Sequence, residues 1–188
     1  MYREHLDERR ARALVSDAET ARASRAWLDR RLANPFVKKV ISGGQTGADS
    51  AGLAAAHRLG IPTGGKAPKG WRTEAGPSAM LGTVYGLTES ESADYATRTR
   101  ENVAAAAGTL LYGDPCSPGS LATLACCRQL GHPLLHVRRG DTPFVDVARW
   151  LRAFDVRVLN IAGNRESVSP GIGAEAFEFF LVALSVHE

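Results

Sequence analysis

The sequence predicts an α/β fold of three layers, a mostly parallel sheet with helices on both faces, preceded by an N-terminal helical extension. Short apolar runs alternate with helix-like segments from Phe36 onward, the rhythm of βαβ units. The runs are short and mostly apolar, as in the strands of a parallel sheet covered on both faces. Several of them end in glycine-rich turns placed just ahead of a helix.

The 188 residues suffice for one domain with a real core. The apolar fraction of 44% and charged fraction of 23% are those of a globular chain. Residues 1–33 read as one helix, or two broken near Ser16-Asp17, because Leu6, Ala13, Leu14, Ala18, Ala21, Leu28 and Leu32 recur at near-helical spacing. Asn34-Pro35 interrupts it. The expected division is therefore an extension over 1–35 and a ligand-binding domain over 36–188.

Within that domain the expected strands are Val37–Ser42, a short piece at Ile61-Pro62-Thr63, Leu81–Leu87, Thr109–Tyr112, Pro133–Val137 and Val156–Ala162. Helices are expected over Ala48–Leu59, Ala93–Ala107, Ser120–Leu130, Thr142–Phe154 with a Thr-Pro start, and Ala174–Val186. A Gly-, Pro- and Lys-rich stretch over Gly64–Ser78 reads as loop.

Bulk properties exclude several classes. The net charge of +3 is mild, and the N-terminal arginines are interleaved with acids, so a solvated helix face is favoured over a nucleic-acid stripe. No apolar run approaches the roughly 18 residues of a membrane span, and the start of the chain lacks the apolar stretch of a signal peptide. Cys116, Cys126 and Cys127 show no paired metal spacing, which points to reduced thiols in the cytoplasm and to no metal site.

The candidate chemistry lies in the turns. Ser42-Gly43-Gly44-Gln45-Thr46-Gly47-Ala48-Asp49 follows one strand and opens a helix. Unpaired amides, the helix dipole and close-approach glycines make such a turn an anion site. It matches neither the Walker loop nor GxGxxG, and a plain structural turn with Asp49 as a first-turn charge is the competing reading. Gly113-Asp114-Pro115-Cys116-Ser117-Pro118-Gly119-Ser120 and Gly163-Asn164-Arg165-Glu166-Ser167 come after two further strands. In a parallel sheet such loops share the edge where ligands bind.

The first turn, with Gly64-Gly65-Lys66-Ala67-Pro68-Lys69-Gly70 and Asn160-Ile161-Ala162-Gly163-Asn164-Arg165-Glu166-Ser167, resembles the family known as "putative molybdenum carrier" proteins. These form the circularly permuted branch of the SLOG superfamily, Rossmann-like relatives of the LOG phosphoribohydrolases. The resemblance spans about Val37 to Leu184. It implies a Rossmann-like fold, a homo-oligomer (dimer or tetramer), and a bound nucleotide-derived ligand or molybdenum cofactor, a pterin with a terminal phosphate. Two departures stand out. Where LOG enzymes carry PGGxGTxxE with a catalytic glutamate, this chain has Ser117-Pro118-Gly119-Ser120-Leu121-Ala122-Thr123 and no acid until Asp141. Where relatives tend to carry Ser-Asp before the next strand, it has Ala106-Ala107 before Gly108-Thr109.

The residues expected to bind a phosphate-bearing ligand are Gly43, Gly44, Gln45, Thr46, Gly47, Asp49, Lys69, Arg72, Arg98, Asn102, Gly119, Ser120, Thr123, Gly163, Arg165, Glu166 and Ser167. Lys69, Arg72 and Arg165 supply charge. Arg98 and Arg100 sit near a helix start, an unfavourable place for a cation without an anion nearby. Ser120 and Thr123 either donate to phosphate or cap the backbone. If the chain is instead a nucleotide hydrolase, the candidate acids are Glu74, Glu166 and Asp49. His57, His132 and His136 have no nucleophile at motif spacing. Trp71 either stacks on a ligand ring or pins its loop to the core. The leading expectation is a carrier or sensor of a phosphate-bearing small molecule.

Overall fold

The computed structural model describes Arg22 and residues 35–92 and 94–185. The helical extension expected over 1–33 lies outside the described residues, Arg22 apart.

From Pro35 the chain builds a five-stranded sheet. Its strands are β1 (Lys39–Ser42), β2 (Thr63–Gly64), β7 (Gly108–Tyr112), β8 (Leu134–Val137) and β9 (Val158–Gly163), in the order β2-β1-β9-β7-β8. Every pairing is parallel, with Val40 opposite Leu159 and Leu110 opposite Ile161 at the centre. All five residues of β7 are buried, as expected of a central strand covered on both faces.

The helices are α1 (Ala48–Arg58), α2 (Met80–Thr83), α3 (Tyr95–Ala105), α4 (Pro118–Leu130), α5 (Phe144–Ala153) and α6 (Ile172–Ser185). The crossover β1-α1-β2 runs towards one sheet edge and β7-α4-β8 towards the other. Right-handed crossovers in opposite directions put their helices on opposite faces. Side-chain packing agrees. Ala48, Ala51 and Ala55 of α1 share a core with Leu110, Tyr112, Ile161, Val147 and Phe180. Cys126 and Cys127 of α4 pack with Val103 of α3 on the other face. The fold is therefore the expected three-layer, Rossmann-like α/β arrangement, and the direction of winding reverses across β1, β9 and β7. A crevice at the carboxyl ends of these strands results from that reversal.

Several boundaries differ from expectation. Leu81–Leu87 is not a strand: Met80–Thr83 is a helical turn. Folding back lets Leu81 and Leu87 both reach Leu53 and Ala67 in a second small core, closed by a Leu87 amide to Leu81 carbonyl bond of 2.9 Å. The Gly64–Ser78 stretch is more ordered than a plain loop. It holds β3 (Lys66–Ala67), parallel to β6 (Thr88–Glu89), and the hairpin β4 (Arg72–Thr73) with β5 (Gly76–Pro77). Thr142 does not cap α5. Its hydroxyl accepts from the Arg138 amide at 2.9 Å, and Pro143 occupies the N-cap. Helix α4 starts two residues before expectation because Ser117 caps it, accepting from the Ser120 amide at 3.3 Å, with Pro118 in the first turn. Among the described residues no helix is long and apolar enough to cross a membrane.

Candidate functional site

The loops after β1, β9 and β7 meet because their strands are neighbours, and Asn164 ties them together. Its side-chain oxygen accepts from the Asp114 amide, and its amide nitrogen donates to Ser117 Oγ at 2.9 Å and to the Asp114 carbonyl at 3.1 Å. Its main-chain carbonyl accepts from the Ala48 amide at 3.1 Å. One residue, 2% exposed, thus joins the starts of α1 and α4. Gly47, the N-cap of α1, has φ +77°, and a Cβ there would lie 2.3 Å from that same Asn164 carbonyl. Only glycine fits.

This junction uses up amides that the first turn alone would offer to an anion. The Ala48 amide is taken by Asn164, the Ser50 amide by the Gln45 carbonyl, and the Gln45 amide by Asp49 at 3.3 Å. The amides at the start of α1 are therefore largely engaged within the protein. The open space lies beside them, in a cleft of about 380 Å³ between that turn, α3, the start of α4 and the end of β9.

Arg98 and Arg165 supply the cleft's positive charge, and Arg98 is the more buried of the two. Arg98 is 9% exposed, donates from Nη1 to the Gly43 carbonyl at 2.8 Å, and its Nε is buried with no hydrogen-bond partner. A Cβ on Gly43 would lie 2.5 Å from the guanidinium, so the glycine is what lets the cation sit against the turn. Arg98 and Arg165 both approach the Tyr95 ring, with guanidinium carbons 5.5 and 5.0 Å from its centroid. Asp49, 6% exposed, lines the same cleft. Burial raises its carboxyl above the ordinary range, against the opposing pull of Arg98, the Gln45 amide, Ser42 and Arg165.

Gln45 is the second cleft-lining residue with an unsatisfied group. Its Oε1 accepts from the Glu74 amide at 2.8 Å and the Thr46 amide at 3.1 Å, which settles its orientation. Its Nε2 is buried and unpartnered. Such buried donors each cost about 1–3 kcal/mol when unmet, and both residues line a cleft that a ligand acceptor can enter.

The remaining candidates divide. Gly43, Gln45, Asp49, Arg98, Asn102, Gly119, Thr123, Gly163 and Arg165 line the cleft. Asn102 also pins Lys66, accepting from its amide at 2.8 Å and donating to its carbonyl at 3.1 Å. Ser120 is buried against Ser117 and Asn164 within the α4 cap. Lys69 and Arg72 are exposed on the hairpin side, where Arg72 Nε donates to the Lys69 carbonyl at 3.2 Å. Gly44 lies against Leu81 and Leu87.

Thr46, Gly47, Glu166 and Ser167 border a separate shallow concavity with Glu74. There Glu74 clasps two loops, accepting from Thr46 Oγ1, Ser167 Oγ and, at 3.0 Å, the Ser167 amide. Burial alone would raise its carboxyl, but hydrogen bonds from Ser167 and Thr46 outweigh this and hold it below the ordinary value. Glu166 accepts from the Gly171 amide and, at 3.0 Å, from the Gly173 amide. It satisfies the start of α6 and so accounts for that helix beginning at Ile172.

The cleft also takes in Asp94, Tyr95 and Asn160, which were not among the expected residues. Asp94 was legible as an N-cap, and it accepts from the Thr97 amide at 3.0 Å. Asn160 was legible as a polar residue inside an apolar strand; it donates to Thr109 Oγ1 at 3.2 Å. Tyr95 carried no such signal. Trp71 packs with the Leu53 and Leu81 cluster. His57, Nε2 of His136 and the His132 amide meet Tyr85, the Gly113 carbonyl and the Cys127 carbonyl respectively, away from the cleft.

Comparison with known proteins agrees with this architecture. No curated protein matches the chain significantly. A crystal structure from Syntrophus aciditrophicus described as a "Putative molybdenum carrier protein" superposes with a TM-score of 0.73 at 36% identity, covering 80% of this chain and 96% of that one. Residues 40–184, which carry nearly the whole sheet and every cleft residue described above, match the circularly permutated YpsA SLOG family, and the chain belongs to that family.

Proposed function

We propose that this protein is a carrier or sensor that holds a phosphate-bearing small molecule, nucleotide-derived or a pterin, in the cleft at the carboxyl ends of β1, β9 and β7. The observation that carries the reading is Arg98: a nearly buried guanidinium with an unmet Nε, lining an open cleft. Asp49 lies near enough to interact with this cation, but it does not meet the Nε, and a phosphate would supply that acceptor together with further opposite charge. Gly119, in the first turn of α4, adds a helix N-terminus on the opposite wall. The name of the related Syntrophus structure, "Putative molybdenum carrier protein", fits a carried small molecule.

The hydrolytic alternative is not favoured. Glu74 and Glu166 are occupied in holding loops and a helix start, and neither lines the cleft. Asp49 is the one candidate acid that does.

Native mass spectrometry of freshly purified protein, with its small-molecule extract analysed for nucleotides and pterins, tests the proposal. A co-purifying intact phosphate ester, lost in Arg98→Lys, is the expected result. Protein that neither retains nor binds any phosphate ester overturns it.

A further inference from the structure

Among the described residues, Tyr95 is the aromatic side chain in the wall of the cleft. Trp71, the ring that the sequence offered for stacking, packs instead with Leu53 and Leu81. Tyr95 occupies the first position of α3, where the backbone is well held. The Asp94 carboxylate caps the helix by accepting from the Thr97 amide at 3.0 Å, and the Tyr95 carbonyl accepts from Thr99 Oγ1 at 2.9 Å. A ring carried on a capped helix is placed more precisely than one on a loop.

The same ring is tied to the positive charge of the cleft. The guanidinium carbons of Arg165 and Arg98 lie 5.0 and 5.5 Å from its centroid, within the range of a cation–π contact. With both cations in place Tyr95 is still 40% exposed, so a good part of its surface stays uncovered. Aromatic surface of this kind is what a second planar ring covers well. The α4 wall of the cleft is built from the compact residues Pro118, Gly119, Ala122 and Thr123. Nothing lies within 4 Å of a prospective Cβ on Gly119, so that wall leaves space for a ligand.

Resting on the phosphate-binding reading of this cleft, we infer that Tyr95 determines its specificity: the ring stacks on a heteroaromatic ring of the ligand and so selects a nucleotide over a plain sugar phosphate. A phosphate paired with the two guanidiniums lies beside the Tyr95 ring, because both cations are within 5.5 Å of its centroid. The sugar then spans the short distance to a base resting on the uncovered ring surface. Stacking accepts any base, since each has a π-face; Tyr95 therefore separates ring-bearing from ring-free phosphate esters.

Isothermal titration calorimetry on the full chain tests this with inorganic phosphate, ribose 5-phosphate, AMP, GMP, CMP and UMP as probes. At least one nucleotide is expected to bind about tenfold or more tighter than ribose 5-phosphate. In Tyr95→Leu that ratio should fall to about threefold or less. In Tyr95→Phe it should persist, because the phenyl ring stacks without the hydroxyl. Tyr95 is exposed, so neither substitution opens a cavity in the core. The ratio is the readout because a ring that served only to position Arg98 and Arg165 would weaken nucleotide and ribose 5-phosphate alike. Equal affinity for nucleotides and ribose 5-phosphate, a ratio that survives Tyr95→Leu, or a ratio lost as fully in Tyr95→Phe, overturns the stacking role. If ribose 5-phosphate binds and is lost in Arg98→Lys, the cleft reading survives that failure. No binding of any probe overturns both.

Discussion

The Glu74 carboxylate receives both the amide and the hydroxyl of Ser167, 93 residues further along the chain. With Thr46 as its third donor, it fastens the β4–β5 hairpin to the two loops that flank Arg165. A Glu74→Ala substitution should expose the Ser167 amide, read as faster hydrogen exchange at 166–168 with little change in the sheet. Glu74→Gln should restore some of the protection, since its amide oxygen still accepts.

The same carboxyl predicts a pH dependence. Its folded-state value lies below the ordinary 4.5 because of Ser167 and Thr46. The stabilisation it confers is thus fully present above that ordinary value and is lost as pH falls through the depressed one. Loop protection measured by hydrogen exchange should be constant from neutral pH down to about 4.5 and then fall. In Glu74→Gln this step should be absent.

Asp49 carries the opposite sign. Burial raises its carboxyl in the folded state, so its contribution favours folding below its ordinary value and turns unfavourable as pH rises through the raised one. Asp49→Asn should therefore raise Tm at pH 7, by about 2–4 °C if about 1 kcal/mol is recovered. The gain should shrink towards pH 4. A Tm at pH 7 equal to or below that of the unsubstituted protein would contradict the assignment. The variant should lose ligand affinity only where the ligand donates to the carboxylate, which calorimetry on the same protein reads directly.

Gly47 tests the junction between loops. With φ +77° and a prospective Cβ 2.3 Å from the Asn164 carbonyl, Gly47→Ala should cost about 1–3 kcal/mol from backbone strain and more from the clash. Chemical denaturation should show the midpoint shifted with m unchanged. Gly119→Ala is the control, because nothing lies within 4 Å of its prospective Cβ; its stability should change little.

Arg98→Lys keeps the charge but loses the planar fork that reaches Gly43. Affinity for a phosphate ester should fall by about 1.5–3 kcal/mol, the range for a hydrogen bond to a charged group. Calorimetry with inorganic phosphate as the simplest probe checks this.

Local sequence determined the secondary structure wherever apolar periodicity and glycine punctuation were strong. Residues 109–112 and 156–162 read as strands and 48–59 as helix because burial on both faces, or on one stripe, leaves a pattern in adjacent residues. It failed at Leu81–Leu87, where two leucines at either end of a turn serve one small core, a requirement that strand and helix patterns both satisfy. The glycine turns were legible for the same local reason, and they placed the edge of the sheet where the cleft lies.

Tertiary structure decided which groups face that cleft. Nothing near Gly47 in the chain reveals that Asn164 takes the Ala48 amide, or that Glu74 and Glu166 are consumed by loops and a helix start. Those partners come from strands brought together by the order β1-β9-β7, and hydrogen bonds across such distances leave no periodicity to read. Arg98 was visible as a cation near a helix start, but its unmet Nε exists only because α3 packs it against Gly43. Sequence thus set the elements and the sheet edge, through interactions among near neighbours. Packing of distant segments chose which donors along the cleft remain unsatisfied.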